Sequence, residues 1–233
     1  MRRRDLIAAA LAAGVAPAAR AAAKSVVIEL FTSQGCSSCP PADALLGELS
    51  RRADVIALAW HVDYWDNLGW HDRFASPTAT ARQKAYARQL DSVVFTPALV
   101  VDGGKVVVGS ERASVEQAIA AAAALPVSVM INRTADALTV DVGGTPGPVR
   151  AQRIVYDQVQ ATDVSAGEND GRRLHDFRIV RTVETLADWD GSARQFTTRL
   201  ADPGKGVVIL LQSPDLRVLG AADLAANGTA SQG

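Results

Sequence analysis

The chain has 233 residues, 48% of them hydrophobic, and a formal net charge of −1. That length and apolar content provide one large core or two smaller ones and exclude a disordered chain. The near balance of 24 basic and 25 acidic residues gives no strongly basic face for nucleic acid or anionic lipid.

Residues 1–23 begin with an arginine-rich stretch, continue through an alanine- and leucine-rich run, and end in small residues of the A-x-A kind. This pattern predicts an export signal peptide. Arg3 and Arg4 ahead of Leu6 and Ile7 resemble the twin-arginine variant. The apolar run is shorter than the ~20 residues of a spanning helix, so no membrane span is expected in the mature form. Cleavage would remove four arginines and one aspartate, three net positive charges, and leave a mature charge of −4.

Val26 to Phe31 is a nearly continuous β-branched and apolar run, the pattern of a strand covered on both faces. Ala42, Leu45, Leu46 and Leu49 recur at helical spacing, and Val55 to Val62 reads as a second strand. This is a β-α-β unit with parallel strands. Pro77 to Leu90 reads as a helix capped by Ser76. Val93 to Val101 reads as a strand interrupted by Pro97, followed by an Asp102-Gly103-Gly104 turn and a strand from Lys105 to Val108. Ser114 to Leu125 reads as a helix ended by Pro126. Beyond it, six short alternating segments without helices predict an antiparallel sandwich over 126–224, then a polar tail over 225–233.

Cys36 and Cys39 are the only cysteines, so an intramolecular disulfide formed after export must join them. So short a loop removes little unfolded-state entropy, which makes the bridge a poor staple. In a β-α-β unit the cysteine loop shares the carboxyl edge of the sheet with the end of the second strand, where His61 and Asp63 fall on one face by the period of two. Thr96-Pro97 enters the third strand, and a proline there marks a special geometry, including a cis bond. Asp63, Asp66, His71 and Asp72 form a polar group around Trp65 and Trp70, read mainly as loop-ordering residues.

The order strand, C-x-x-C, helix, strand, then T-P strand, Gly turn, strand and helix resembles the thioredoxin fold over residues 24–125. More specifically, "GCSSCPPAD", "HVDYWDNLGW", "FTPALVVDG" and "GENDGRRLHDFR" resemble the signature stretches of an exported bacterial family of unknown function assigned to the thioredoxin-like superfamily. The resemblance implies an α/β thioredoxin-like domain with a helical insertion, followed by the sandwich. It implies thiol–disulfide exchange with protein or small-molecule thiols and disulfides in the periplasm or outside the cell, without a cofactor. Carried over, Cys36 is the attacking thiolate, Cys39 the resolving thiol, and Thr96 and Pro97 line a substrate groove, with His61 and Asp63 as modulators. The chain departs from the pattern in two places. Gly35 replaces an aromatic residue before the first cysteine, and Pro40-Pro41 disfavour helix at Cys39 and Pro40, so the helix is expected to begin at Pro41. Two other readings stay open: a copper(I) or thiophilic-metal site of Cys36, Cys39 and His61, and a redox-inert interaction module with a structural disulfide. The stretch Gly167 to Arg178 is read as a turn-rich solvated link whose Glu168, Arg172 and Arg173 form a seam or touch a partner.

Overall fold

The computed structural model describes residues 25–225 and the strand Ala230–Gln232. The expected signal peptide lies outside the described residues, as do 226–229 and 233 of the expected tail.

The chain runs β1 (Val26–Thr32), α1 (Pro40–Leu49), β2 (Val55–His61), α2 (Pro77–Gln89), β3 (Ala98–Val101), β4 (Lys105–Val108) and α3 (Arg112–Ala121). It continues through β5 (Val129–Arg133), β6 (Ala137–Val142), β7 (Val149–Asp163), a 3-10 turn (Gly167–Asn169), β8 (Arg173–Trp189), β9 (Arg194–Arg199), β10 (Lys205–Gln212), β11 (Val218–Leu224) and β12 (Ala230–Gln232). The local expectations are met closely at α2, where the Ser76 side chain accepts from the Ala79 N–H, and at β6, whose bounds match. The β3–β4 turn also follows its sequence, with positive φ at Asp102 and Gly103. A Cβ on Gly103 would stand 1.9 Å from the Leu216 carbonyl oxygen, so only glycine fits that close approach.

The architecture differs from the expected α/β thioredoxin-like domain with a helical insertion followed by an all-β sandwich. One nine-stranded mixed sheet of order β12-β11-β10-β7-β8-β2-β1-β3-β4 dominates the protein, and only three α-helices stand among the described residues. β1 and β2 are parallel in register, Thr32 opposite His61, as the β-α-β reading requires. The outer edge of β2 is then taken by β8, a strand from far down the chain, in parallel at Ala59 and Ile179. Through β8 the sheet continues into the long antiparallel β7–β8 hairpin and on to β10 and β11. A smaller sheet, β5-β6-β9, packs on that extension. The sequence pattern of β2 does not distinguish these architectures, because residue alternation reports which faces are covered and not which edges are paired.

Three apolar clusters fill the layers. Val27, Phe31, Leu58 and Trp60 face α2. Ile28, Leu30, Ala57 and Ala59 face α1 and α3. Val129, Val140, Ile209 and Leu211 lie between the small sheet and the extension. α1 lies close against β8 because Gly47 has no side chain. A Cβ there would stand 2.6 Å from the Phe177 ring.

Candidate functional site

β1 delivers the chain into a tight loop at the carboxyl edge of the sheet. The Cys36 N–H donates to the Ser33 carbonyl at 3.1 Å, Gly35 N–H to Ser33 Oγ at 3.1 Å, and Cys39 N–H to the Cys36 carbonyl at 3.2 Å. Cys36 and Cys39 form a disulfide, with Cα atoms 5.4 Å apart. Both cysteines are 0% exposed, although Ser37 and Ser38 between them are exposed.

α1 begins at Pro40 rather than Pro41, with Cys39 as N-cap in right-handed helical conformation (φ −78°, ψ −38°). The usual exclusion of that conformation before proline is overcome by the short bridge to Cys36 and by Ala42 and Asp43, whose N–H groups donate to the Cys39 carbonyl at 2.8 and 3.1 Å. Pro40 and Pro41 have no N–H, so the first turn directs few free donors at the Cys36 sulfur, and dipole stabilisation of a thiolate is weak. The Ser38 Oγ stands 3.3 Å from that sulfur.

The tip of the β7–β8 hairpin covers the loop. Asn169 Nδ2 donates to the carbonyls of Gln34 (2.9 Å) and Cys36 (3.0 Å), and Glu168 accepts from the Ser37 N–H at 3.0 Å. Arg172 holds the Asn169 side-chain oxygen at 2.7 Å. The charged stretch expected as a solvated link is therefore a latch over the disulfide, and from Arg173 onward it is strand β8. On another side Gly35 lies against Trp65, whose indole N–H donates to Thr96 Oγ1 at 2.9 Å. The Thr96-Pro97 bond is cis and Pro97 is buried, its carbonyl accepting from the Gly109 N–H at 2.9 Å.

Beneath the loop lies a buried polar cluster. His61 Nδ1 bonds Asp72 Oδ2 at 2.7 Å. Gln34 connects the parts: its N–H donates to Asp72 at 2.9 Å, its amide nitrogen to Asp176 at 2.6 Å and to Thr162 at 3.0 Å. Its amide oxygen accepts from the Trp70 indole at 3.2 Å. Asp43 comes in from α1, one helical turn after Cys39. Burial, with Asp176 nearby and only partial relief from His61 and Thr32, pushes its carboxyl up to about 7. Asp176 is also raised, by burial against the opposing pull of His61 and Gln34. Burial alone would lower His61, but Asp72, Asp176 and Asp43 together outweigh it and raise the imidazole to about 9. Burial would raise Asp72, yet His61 and the N–H donors of Gln34 and Phe74 hold it low. His61 Nε2, at the β2 position paired with Thr32 of β1, is buried without a hydrogen-bond partner among the described residues.

The structure therefore brings Cys36, Cys39 and, through Trp65, Thr96 to one edge, and places His61 below them. It separates Asp63 from His61, because β2 ends at His61 and the alternation does not extend. Asp63 accepts instead from Thr80 of α2 at 2.6 Å. Among the described residues no group of three or more His, Cys, Asp and Glu could hold a metal ion, so Cys36, Cys39 and His61 do not assemble as a metal set. Sequence reasoning missed Asp43 and Asp176 and read Asp72 only as loop-ordering. The signal for Asp43 was present: a carboxylate three residues before Leu46, on the apolar side of α1. Asp176 had no local signal, since only the β8–β2 pairing brings it to the loop.

Fold and site together define a protein with a covered C-x-x-C disulfide at the edge of a large mixed sheet, backed by a buried acidic cluster. The chain belongs to the family described as "Protein of unknown function (DUF1223)", which matches residues 27–212. A crystal structure of a protein from Agrobacterium tumefaciens, determined by a structural genomics consortium, is 32% identical, with a TM-score of 0.79 over 89% of this chain and 96% of that one. HBP35 of Porphyromonas gingivalis is similar in fold, at 16% identity and a TM-score of 0.57 over 88% of this chain and 76% of that chain. No curated protein matches the chain. No helix among the described residues is long and apolar enough to cross a membrane.

Proposed function

We propose that Cys36 and Cys39 exchange with thiols and disulfides of a protein or small molecule, in the oxidising space outside the cytoplasm to which residues 1–23 would direct the chain. The observation that carries this reading is the position of Asp43, a buried carboxyl one turn after Cys39 in a cluster with two other carboxyls and one imidazole. A disulfide that serves only as a staple has no use for a buried acid held near neutrality, and such groups collect where protons move.

In the oxidising direction, a substrate thiolate attacks Cys36 Sγ. The Cys36–substrate bond forms, the Cys36–Cys39 bond breaks, and Cys39 leaves as a thiolate that takes the proton of Asp43. A second substrate thiolate then attacks the substrate sulfur and releases Cys36. Two electrons pass from the substrate dithiol to the protein, and the substrate leaves as a disulfide. In reverse, the Asp43 carboxylate accepts the Cys39 proton as Cys39 resolves the mixed disulfide. His61, paired to Asp72, keeps the cluster from accumulating uncompensated negative charge.

The test is turnover of a disulfide-linked peptide together with the Cys36–Cys39 potential in glutathione buffers, with Cys36→Ser and Cys39→Ser as controls. The reading expects turnover abolished by either substitution, a mixed disulfide trapped by Cys39→Ser, and a rate-against-pH curve displaced by Asp43→Asn. A strongly reducing potential with no turnover and no trapped adduct would overturn it in favour of an inert interaction module.

A further inference from the structure

An open groove of about 340 Å³ lies between α1 and the start of β8, its nearest lining residue to the disulfide in sequence being Pro40, which follows Cys39. Its floor is apolar, formed by Pro40, Ala44 and Gly47 against Leu174 and Phe177. Its rim carries Arg51 from the end of α1 and Arg172, Arg173 and His175 from β8 and its approach, all exposed. Asp43 is the one carboxyl among the lining residues, so the same acid that backs Cys39 is reached from this groove.

Resting on the exchange reading above, we infer that this groove takes a small carboxylate-bearing peptide thiol or its disulfide. The volume suits a ligand of that size, and three guanidinium groups on the rim of an apolar floor supply the donors a carboxylate at the end of a short peptide needs. The existing partners of these arginines are replaceable. Arg51 donates to the Gly47 carbonyl at 3.0 Å, and Arg173 pairs at 3.0 Å with Asp163 in an ion pair open to water. Arg172 adds a link to access: it holds Asn169, and Asn169 holds the Cys36 carbonyl. A carboxylate that draws Arg172 toward the groove loosens the contact covering the disulfide, so occupancy and exposure of Cys36 rise together.

Binding is separated from chemistry by titrating S-methylglutathione, which cannot exchange, into the oxidised full chain. Saturable binding is expected, weakened about tenfold in Arg51→Gln/Arg173→Gln and reduced by salt, with unchanged thermal unfolding of the variant. No saturable binding, or binding indifferent to both arginines, overturns the inference whatever the exchange assays give. Reaction of the reduced protein with glutathione disulfide, neutral hydroxyethyl disulfide and cationic cystamine reads the other arm. A preference for glutathione disulfide that vanishes in the double variant supports the groove; equal rates with all three overturn it. Failure of even the neutral disulfide to react sinks the exchange reading and leaves the titration to decide the groove.

Discussion

Two buried polar networks occupy opposite faces of β1, and they are built on different accounts of charge. On the face toward α2, Glu29 meets Arg82 in a bidentate pair at 2.5 and 3.0 Å, Tyr86 donates to Glu29, and Gln212 bonds both Tyr86 and Arg82. Arg82 also stacks over the Trp60 ring at 4.7 Å. One cation faces one anion, and each has its hydrogen-bonding partners within the network. On the other face, Asp43, Asp72 and Asp176 share one imidazole, and His61 Nε2 has no partner among the described residues. That network is neutral only if carboxyls hold protons, and it lies under the disulfide. A balanced pair locks a fold together, whereas an unbalanced cluster stores a proton near ambient pH.

The largest effect that sharpens this contrast is expected from Arg82→Met, which strands Glu29 in the core. Loss of about 3–5 kcal/mol of unfolding free energy is expected in urea titrations, with no dependence on the state of the disulfide. His61→Ala strands Asp72 in the same way, but its cost should depend on pH. His61 is raised from 6.5 to about 9, so the folded state holds a proton that the unfolded state releases between those values. Its contribution is fully present below pH 6.5 and lost as pH rises through about 9. The gap between wild type and variant should therefore narrow as pH rises through about 9 and level off at the pH-independent cost of the lost imidazole, in denaturation followed by fluorescence.

Asp43→Asn should stabilise where His61→Ala destabilises, although both groups make wild-type stability fall as pH rises. The raised carboxyl keeps its proton in the folded state from 3.8 to about 7 while the unfolded chain loses it. Wild-type stability thus falls as pH rises across that window. The variant should lack this fall and gain on the order of 4 kcal/mol at pH 8 relative to pH 4, and an unchanged slope would place Asp43 outside the proton store. The smallest stability effect is expected from Asn169→Ala, which removes two hydrogen bonds at the loop and should cost about 1 kcal/mol. Its kinetic effect should be larger: reduction of the disulfide by dithiothreitol, followed by thiol titration, is expected to accelerate severalfold. An unaltered rate would show that the hairpin tip does not limit access to Cys36.

The sequence carried the local parts of this picture and missed the long-range ones for a physical reason. Ser76 as cap, the Asp102-Gly103 turn and the cysteine loop ahead of α1 depend on neighbours a few residues away, and each was legible. The cis Thr96-Pro97 bond was legible too, from a proline inside an apolar run only when taken together with the C-x-x-C motif. Cys39 in helical conformation before proline was not, because a bridge and two backbone bonds overrule a local preference. Strand β8 was seen only as a short segment of a separate sandwich, since nothing in Phe177 to Val183 reveals that its partner is β2. With that pairing hidden, Asp176, Asn169 and Glu168 could not be placed at the site, and the resemblance to a thioredoxin-like fold filled a gap that the single large sheet closes differently.

The β7–β8 hairpin carries a consequence for distance. At ~3.3 Å per residue, its 15-residue β7 reaches about 50 Å. Its tip grips the disulfide loop, and its base at Val149 and Trp189 is embedded under the small sheet. One continuous ribbon thus has an end in each place. Cys36 and the small sheet are therefore tied together by the ladder bonds of a single hairpin and not by a flexible linker.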